Sequence, residues 1–461
     1  MSELSFASLS LKPELTENLA SLGYQQMTPI QAQSLPRILK GKDLIAQAKT
    51  GSGKTAAFGL GVLQNLNVKR FRVQALVLCP TRELADQVSK EIRKLARAIH
   101  NIKVLTLCGG VPMGPQIGSL EHGAHIIVGT PGRILDHLDR GRINLNELNT
   151  LVLDEADRML EMGFQDAVDA IIEAAPTQRQ SLLFSATFPD QIQWIAGKLL
   201  RQPETVKVES NHDDNTISQG FFNVDDQTHK FEATRLLLMH HKPESCVIFC
   251  NTKNITLDVS DFLAQHGLSA IALNGDLEQK QRDQILVRFA NKSVSVLVAT
   301  DVAARGLDID KLDSVINFDL AHDPETHVHR IGRTGRAGES GLAFNLFTHK
   351  DSHKLVEIED YLKISVEETA LPSEACLTDE PYAPKMATLR IDGGKKQKVR
   401  PGDILGALTG KDGIDGSAVG KINVFDYCAY VAVDKTSAKA ALHKLEKGRL
   451  KGRQFRVWRV R

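Results

Sequence analysis

The sequence lacks both a long apolar run and a set of cysteines in a metal-binding pattern. No apolar stretch approaches the roughly 18 residues that a membrane-spanning helix requires, and residues 1–12 lack the basic start and apolar centre of a secretory signal peptide. The six cysteines are scattered, and although Cys246 and Cys250 lie four residues apart, no second pair completes a zinc pattern. We therefore expect a cytoplasmic protein with buried, reduced thiols.

An excess of charge is also missing from the chain as a whole, because its 461 residues carry a formal net charge of only +1. The charge is nevertheless unevenly distributed. Residues 385–461 contain 18 Lys and Arg against 7 Asp and Glu, a net charge of +11, so the preceding residues are net acidic. A basic tail on an acidic body predicts a polyanionic partner, unless the tail serves only solubility. The length of the chain predicts about two to four domains.

Residues 48–55, with the sequence AKTGSGKT, fit the phosphate-binding loop pattern except for Ala48 at its first glycine position. Glycines let backbone N–H groups point at phosphate oxygens, the lysine reaches the β- and γ-phosphates, and the final hydroxyl binds Mg²⁺. We therefore predict that a nucleoside triphosphate contacts Ala48, Lys49, Thr50, Gly51, Ser52, Gly53, Lys54 and Thr55.

An acidic tetrad, Asp154-Glu155-Ala156-Asp157, follows the apolar run of residues 151–153. This places Asp154 at the end of a predicted strand, where a second Mg²⁺-organising group belongs beside Thr55. Taken alone, the loop could be a flexible turn and the tetrad a solvated helix start. In this order, each after a strand-like run, they predict that the protein binds and hydrolyses a nucleoside triphosphate with Mg²⁺ as cofactor.

Short apolar runs alternate with longer amphipathic segments, which predicts an α/β fold with two doubly wound parallel sheets in tandem. The first sheet is predicted from Ala75–Cys79, Val104–Cys108, Ile126–Val128, Leu151–Leu153 and Ser181–Phe184. The second is predicted from Val247–Cys250, Ile271–Leu273, Val294–Ala299, Ser314–Phe318 and Ala343–Phe347. We place the two domains at residues 1–210 and 211–370, followed by a linker at 371–384.

The remaining residues, 385–461, show a βαββαβ order. The predicted elements are Ala387–Ile391, Pro401–Leu408, Lys421–Val424, Ala429–Val433, Ser437–Glu446 and Phe455–Val460. This order predicts a third, α+β domain with the ferredoxin-like architecture of RNA-recognition motifs.

Further segments accompany the two nucleotide-binding segments in a fixed order. They are Phe6, Gly23-Tyr24, Thr28–Gln31, Pro80–Ala85, Gly109-Gly110, Thr130–Arg133, Ser185–Thr187, Val247–Thr252, Gln279 with Arg282, Ala299–Ile309 and His329–Arg336. From residue 6 to about residue 347 the chain thus resembles the DEAD-box ATP-dependent RNA helicase family. The resemblance implies two RecA-like domains that bind ATP and RNA and close on each other.

The resemblance also implies roles for individual residues. Gln31 would contact the adenine edge and Phe6 its ring, although a capping glutamine and a core phenylalanine are the open alternatives; Asp308 would approach the nucleotide. Coupling between ATP and RNA would involve Asp157, Ser185, Thr187 and His329. RNA contacts in the core would come from Thr81, Arg82, Gly110, Thr130, Arg133, Thr252, Arg282 and Thr300.

Phosphoryl transfer to water depends on positioning and charge neutralisation. We expect Glu155 to orient and deprotonate the attacking water and Lys54 to hold the phosphates. Arg333 and Arg336 would act as arginine fingers from the second domain, since a planar guanidinium suits the charge of the transition state. Arg330, by contrast, could be a plain RNA or surface arginine.

The basic tail is expected to supply specificity. Its third-strand segment, residues 426–433, keeps Tyr430 where RNA-recognition motifs have aromatic residues, but Arg390 replaces the first-strand aromatic, so base stacking on the sheet is one of two open possibilities. Tyr430 could instead be a half-buried strand residue. The predicted RNA-binding residues of the tail are Arg390, Lys395, Lys396, Lys398, Arg400, Tyr430, Lys451 and Arg453.

Residues 391–396 and 400–408 further resemble the bacterial DbpA subfamily of these helicases. That resemblance implies binding to a hairpin of 23S ribosomal RNA and remodelling during large-subunit assembly. A monomer is expected because no heptads appear. Two rival functions remain open from the sequence: a DNA helicase with the same motor, and a nucleotide-gated RNA clamp that does not unwind.

Overall fold

The computed structural model describes residues 5–48, 51–188, 190–208, 217–304, 312–335 and 341–460. These residues form two compact units, one made of residues 5–208 and the other of residues 217–460. No helix in the described part of the chain combines the length and the apolar character needed to cross a bilayer.

The first unit is built around a parallel sheet with the strand order β3-β4-β2-β5-β6-β1-β7. Its strands are Leu44–Gln47 (β1), Ala75–Leu78 (β2), Val104–Leu107 (β3), Ile126–Gly129 (β4), Thr150–Asp154 (β5), Gln180–Ser185 (β6) and Glu204–Lys207 (β7). Its helices are Pro13–Ser21 (α1), Pro29–Leu39 (α2), Lys54–Asn65 (α3), Arg82–Leu95 (α4), Met113–Glu121 (α5), Pro131–Asp139 (α6), Ala156–Glu161 (α7), Gln165–Ala174 (α8) and Asp190–Leu199 (α9).

The helices cover both faces of this sheet, which explains why its central strands are continuous apolar runs. Along β2, Ala75 and Val77 enter one hydrophobic core, whereas Leu76 and Leu78 enter the core on the opposite face. The five strands predicted from the sequence are confirmed. β1 is the strand-like run that precedes the phosphate-binding loop, although it was not counted among the predicted strands of the sheet. β7 was missed because polar side chains interrupt its apolar pattern.

The second unit contains a parallel sheet with the order β10-β11-β9-β12-β13-β8. Its strands are Ile217–Asn223 (β8), Cys246–Phe249 (β9), Ala270–Leu273 (β10), Val296–Ala299 (β11), Ser314–Asn317 (β12) and Gly341–Phe347 (β13). Its helices are Gln227–His241 (α10), Lys253–Gln265 (α11), Gln279–Ala290 (α12), Asp301–Ala304 (α13), Pro324–Ile331 (α14) and Ser352–Leu362 (α15). The sequence analysis did not predict β8, an edge strand in which Ser218, Gln219 and Gly220 separate Ile217 from two buried phenylalanines.

The tail forms a smaller antiparallel sheet in the order β15-β16-β14-β17, which confirms the predicted α+β architecture. Its elements are Met386–Ile391 (β14), Pro401–Thr409 (α16), Val419–Val424 (β15), Ala429–Asp434 (β16), Ala438–Lys447 (α17) and Val457–Arg459 (β17). One face of this sheet, including Leu389 and Val431, packs on Ile404 and Ala441 of its two helices.

The other face of the tail sheet packs on the helicase part of the same unit. Tyr430 and Val460 form a small apolar cluster with Val287 of α12. Nearby, the Asn291 amide donates to the Thr388 hydroxyl at 3.2 Å, and the Ser293 hydroxyl lies 2.7 Å from that same hydroxyl. The tail is therefore docked through its sheet.

The segment predicted as a linker also lies against the second sheet domain. Leu371, Cys376 and Tyr382 pack on the core that surrounds β9, and Lys242 pairs with Asp379 at 2.9 Å. Burial raises the pKa of the Tyr382 hydroxyl well above its usual value. Because this segment is anchored by side chains, it holds the tail on the second unit rather than acting as a free tether.

Candidate functional site

The phosphate-binding loop joins β1 to α3 in the first unit. Gly51 and Gly53 adopt left-handed backbone angles, with φ of 81° and 96°, which glycine tolerates best. Lys54 is the first residue of α3, and its ammonium is buried and donates to the Ala48 carbonyl at 3.0 Å. A helix N-terminus that follows such a loop favours phosphate. Lys49 and Thr50 lie outside the described residues.

Asp154 ends β5, and its carboxylate is buried. Burial raises its pKa to about 7, a shift that the neighbouring Lys54 ammonium opposes. Its Oδ1 atom is buried and has no hydrogen-bond partner within the protein. The next residue, Glu155, has a left-handed backbone with φ of 53°. Such a conformation costs free energy in a residue with a side chain and often marks a functional position.

The chemistry around Asp154 fits a divalent cation. A buried carboxylate oxygen without a hydrogen-bond donor is costly, and a cation would satisfy it. The described residues contain no cluster of three or more His, Cys, Asp or Glu that could form an all-protein metal site. Mg²⁺ does not require one, because it is commonly held by one or two carboxylates together with water and phosphate oxygens. Thr55, at the start of α3, is the second candidate ligand from this chain.

Asp157 joins the acidic tetrad to the segment after β6. Its Oδ2 atom accepts hydrogen bonds from the backbone N–H groups of Ala186 and Thr187, at 3.1 and 2.9 Å, and from the Thr187 hydroxyl at 3.1 Å. Its own N–H donates to the Ser185 hydroxyl at 3.3 Å. Three of the four predicted coupling residues are therefore brought together in the first unit, whereas His329 belongs to the second.

The two predicted adenine contacts both have structural roles. Gln31 accepts a hydrogen bond from the Thr28 N–H at 2.9 Å, which caps α2, and its amide donates to the Gly53 carbonyl at 3.0 Å. It thus ties α2 to the phosphate-binding loop. Phe6 is buried and meets Tyr24 edge to face, with ring centroids 6.0 Å apart. The alternative interpretations of these two residues, a capping glutamine and a core phenylalanine, therefore fit the structure.

The RNA contacts predicted in the first unit lie where its strands end. Thr81 caps α4 after β2 by accepting the Leu84 N–H at 3.2 Å, and Thr130 precedes α6 after β4. Gly110, with φ of 72°, follows β3. Because parallel strands end at one edge of the sheet, these groups gather there with Arg82 and Arg133. Two helix N-termini at this edge suit the binding of phosphate groups.

The second unit repeats this arrangement. Thr252 caps α11 after β9 by accepting the Ile255 N–H at 3.3 Å. Thr300 follows β11 and accepts the Ala303 N–H at 3.4 Å. Arg282 on α12 donates to the carbonyls of Asn274 and Ala303, at 3.2 and 3.3 Å. The three predicted residues therefore lie at the carboxyl ends of neighbouring strands or in contact with them.

Arg330 is a buried hub rather than a surface arginine. Its side chain is 1% exposed, and its guanidinium donates to both carboxylate oxygens of Asp301, at 2.7 Å each. It also donates to the side chains of Asn317 and Asn251 and to the Asp319 carbonyl, at 3.2, 2.9 and 2.6 Å. The sequence did not predict these partners, because they come together from the ends of three different strands.

The remaining motif residues lie around this hub. His327 is buried, and its pKa falls to about 4 because of burial and the nearby Arg330 charge, so its ring is neutral at pH 7. Its Nε2 atom lies 3.1 Å from the Gln219 amide oxygen. Arg333 follows α14, and its carbonyl accepts the Leu312 N–H at 3.2 Å. Asp308 and Arg336 lie outside the described residues.

The predicted tail residues divide into two groups. Tyr430 is 2% exposed, and Arg390 lies over the Trp458 ring, 4.9 Å from its centroid, so both belong to the docked sheet face. For Tyr430 the structure favours the strand-residue alternative, because a ring covered by α12 cannot stack on a base. The other predicted tail residues are exposed on loops: Lys395, Lys396, Lys398, Arg400, Lys451 and Arg453.

Comparisons with known proteins agree with this geometry. Three family models match the chain: the DEAD/DEAH box helicase at residues 28–195, the helicase conserved C-terminal domain at 229–338 and the DbpA RNA binding domain at 388–459. The chain is 54% identical to the ATP-dependent RNA helicase DbpA of Escherichia coli (strain K12), covering 97% of each protein. It is 35% identical to the protein of the same name from Bacillus subtilis (strain 168), covering 98% of each.

A solved structure gives the same result for the fold. The chain is similar to S. cerevisiae Dbp5 bound to RNA and ADP BeF3, with a TM-score of 0.72 and 33% sequence identity. The match covers 79% of this chain and 95% of the yeast chain.

Proposed function

Since the chain belongs to the DEAD-box ATP-dependent RNA helicases and ends in an RNA-binding domain of the DbpA type, we propose that it remodels 23S ribosomal RNA during assembly of the large ribosomal subunit. The observation that carries the proposal is the DbpA-type domain itself, a basic module docked on the motor. The protein would work in the cytoplasm as a monomer. The family membership argues against the rival DNA helicase.

In the proposed ATP site, Lys54 and the loop amides hold the β- and γ-phosphates, while Gln31 contacts the adenine. Asp154 and Thr55 would hold Mg²⁺, which when bound neutralises charge on the phosphate oxygens. Glu155 orients the attacking water and accepts its proton. The unusual backbone of Glu155 supports this role, because it re-aims the side chain directly after the strand that positions Asp154.

The second domain would complete the site only when the domains close. Arg333 and Arg336 then supply positive charge to the transition state, and His329 contacts Ser185 or Asp157. RNA held by the strand ends of both domains favours the same closed state, so RNA and ATP strengthen each other's binding. The Asp157 network supports this coupling, because it links the tetrad to the segment after β6 through three hydrogen bonds.

The test is steady-state ATP hydrolysis without RNA, with generic single-stranded RNA and with a 23S ribosomal RNA fragment. We expect strong stimulation by the fragment alone. A variant with Lys395, Lys396 and Lys398 changed to alanine should lose most of this stimulation when RNA is limiting, because the tail loses phosphate contacts. A matched control changes three other exposed tail lysines, Lys435, Lys439 and Lys447, and should keep it. Equal stimulation by every RNA would refute the proposed targeting to 23S ribosomal RNA. It would not refute RNA-dependent ATP hydrolysis by the two helicase domains.

The clamp alternative is tested by Glu155→Gln in a strand-displacement assay. A helicase that needs repeated turnover should lose displacement and hydrolysis by at least about a hundredfold while still binding ATP and RNA. The control Glu161→Gln, at the end of the same short helix α7, should remain active. A wild-type protein that binds RNA in an ATP-dependent manner but separates no strands, and whose RNA binding survives in Glu155→Gln, would support a clamp.

A further inference from the structure

The docked sheet leaves the tail without the surface on which RNA-recognition motifs stack bases. Tyr430 is covered by Val287 and Val460, and Thr388 is engaged by Asn291 and Ser293. The opposite face of the sheet is filled by α16 and α17. An RNA that reaches the docked tail must therefore be held by its loops and helix ends.

One corner of the tail is built from two interlocked loops, residues 393–400 and 425–428, which we call the Tyr427 corner. The backbone N–H of Lys395 donates to the Phe425 carbonyl at 2.8 Å, and that of Lys396 donates to the Asp426 carbonyl at 2.9 Å. Gly394 allows this approach, since a Cβ atom there would overlap both carbonyl oxygens. The corner is therefore a fixed platform.

Tyr427 stands on this platform with 65% of its surface exposed. That is the largest exposure among the large apolar side chains that the structure exposes in its described residues. Lys395, Lys396 and Lys398 are exposed on the adjoining loop. Beneath the corner, the Phe455 ring packs so closely on Gly393 that a side chain at that position would clash. The packing within the tail thus accounts for Phe455, whereas Tyr427 belongs to neither of the hydrophobic clusters described for the tail.

An exposed aromatic ring beside several lysines is a combination that suits unpaired nucleotides. Lysines attract phosphates whatever the sequence, whereas an aromatic ring gains free energy only from a base that is free to leave its helix. RNA loops and bulges present such bases, while a continuous RNA duplex hides them. The positive charge of the adjoining loop favours this ligand over an apolar protein surface.

We propose that Tyr427 stacks on an unpaired base of the RNA that the tail binds, and so makes the tail select a looped or bulged RNA over a duplex. The proposal rests on the proposed function in one respect, that the tail binds structured RNA. Tyr427 then supplies discrimination between unpaired and paired bases. The lysines of the corner supply affinity that depends on salt but not on sequence.

The experiment measures the affinity of the full chain for two RNAs, a 23S ribosomal hairpin with its loop and a fully paired duplex of the same length. Tyr427→Ala should weaken hairpin binding by between about fivefold and a hundredfold, the range of one lost stacking contact, and should leave duplex binding unchanged. Tyr427→Phe should retain the affinity. The control Tyr361→Ala removes another exposed tyrosine, on α15, and should have no effect.

Salt dependence separates stacking from charge. In Tyr427→Ala the slope of log affinity against log salt should match the wild type, because no phosphate contact is lost. In Lys396→Ala that slope should become shallower by about one unit, with hairpin and duplex weakened alike. These two readouts distinguish a base contact from a general distortion of the corner, which would change both.

Two different failures can be told apart. If the wild-type protein binds the hairpin no better than the duplex, the targeting to 23S ribosomal RNA in the proposed function is refuted. A wild-type preference for the hairpin that survives in Tyr427→Ala would refute the role of Tyr427 alone, and its exposure would then point to a protein contact. Equal weakening of Tyr427→Ala and Tyr427→Phe would also overturn stacking, because only the hydroxyl distinguishes Phe from Tyr.

Discussion

Arg330 and Asp301 form a two-point ion pair in the second unit, with both nitrogen–oxygen distances at 2.7 Å. The pair joins the helix that precedes Arg333 to the segment after β11, which carries Thr300. A buried guanidinium needs every donor satisfied, and the neighbouring strand ends supply the remaining acceptors. One residue thus fixes the relative positions of a predicted arginine finger and a predicted RNA contact.

Arg330→Lys should destabilise the second unit by about 3–5 kcal/mol, because lysine cannot satisfy both Asp301 oxygens and the three other acceptors. Hydrogen exchange of the β12 amides should accelerate by more than about a hundredfold, while β2 in the first unit serves as an internal reference. Arg235→Lys, a surface arginine paired with Glu232, is the control. Unchanged exchange at β12 would show that the hub does not stabilise this sheet.

The stability of the nucleotide-free protein should depend on pH through Asp154. Its pKa is raised from 3.8 to about 7 in the folded state, so the folded protein holds an extra proton between about pH 4 and 7. Folding stability is therefore lost as pH rises through this window, by an amount on the order of a few kcal/mol. Asp154→Asn removes this cost and should raise the melting temperature more at pH 8 than at pH 5.

The measurement is thermal unfolding of both proteins at the two pH values. The exposed Asp166→Asn on α8 is the control and should show no such difference between them. A gain for Asp154→Asn that is equal at pH 5 and pH 8 would contradict the raised pKa. Hydrolysis of ATP should be lost in Asp154→Asn at either pH.

Gly53→Ala should abolish tight ATP binding. The backbone angle of Gly53 is costly for alanine, and its Cβ would overlap the Gln31 amide that ties α2 to the loop. The matched control is Gly41→Ala, which has a similar φ of 73° but open space around its Cβ. Gly41→Ala should lose about 1 kcal/mol of stability and Gly53→Ala more because of this overlap, and only Gly53→Ala should fail to bind a fluorescent ATP analogue. Equal ATP binding by the two would contradict the role of this contact.

Val287→Lys should loosen the tail. It places a charge against Tyr430 and Val460, and a buried unpaired charge opposes docking. The reporter is Cys428, a half-buried thiol of the same cluster, in a Cys376→Ser background. Its labelling by a thiol reagent should accelerate at least about tenfold. Val356→Lys, at an exposed valine of α15, is the control. An unchanged labelling rate would show that this cluster does not hold the tail.

The local chemistry of this protein was determined by its sequence. The βαβ rhythm predicted both parallel sheets, since continuous apolar runs are what a sheet buried on both faces requires. Because residues 151–153 are also a continuous apolar run, the sequence predicted a strand there with Asp154 at its end. The edge strands β7 and β8 were not predicted, because polar side chains interrupt their apolar patterns.

Only the tertiary structure decided which side chains meet. Nothing in the spacing of Arg330 indicates that partners 29 and 79 residues away would bury it, because those contacts depend on strand order. From the sequence, Tyr430 could be either an RNA contact or a strand residue. The packing of α12 on its ring decides for the strand residue. Tyr427, three residues earlier, looked no different in the sequence. Exposure depends on what packs against a residue, and that is a property of the assembled chain.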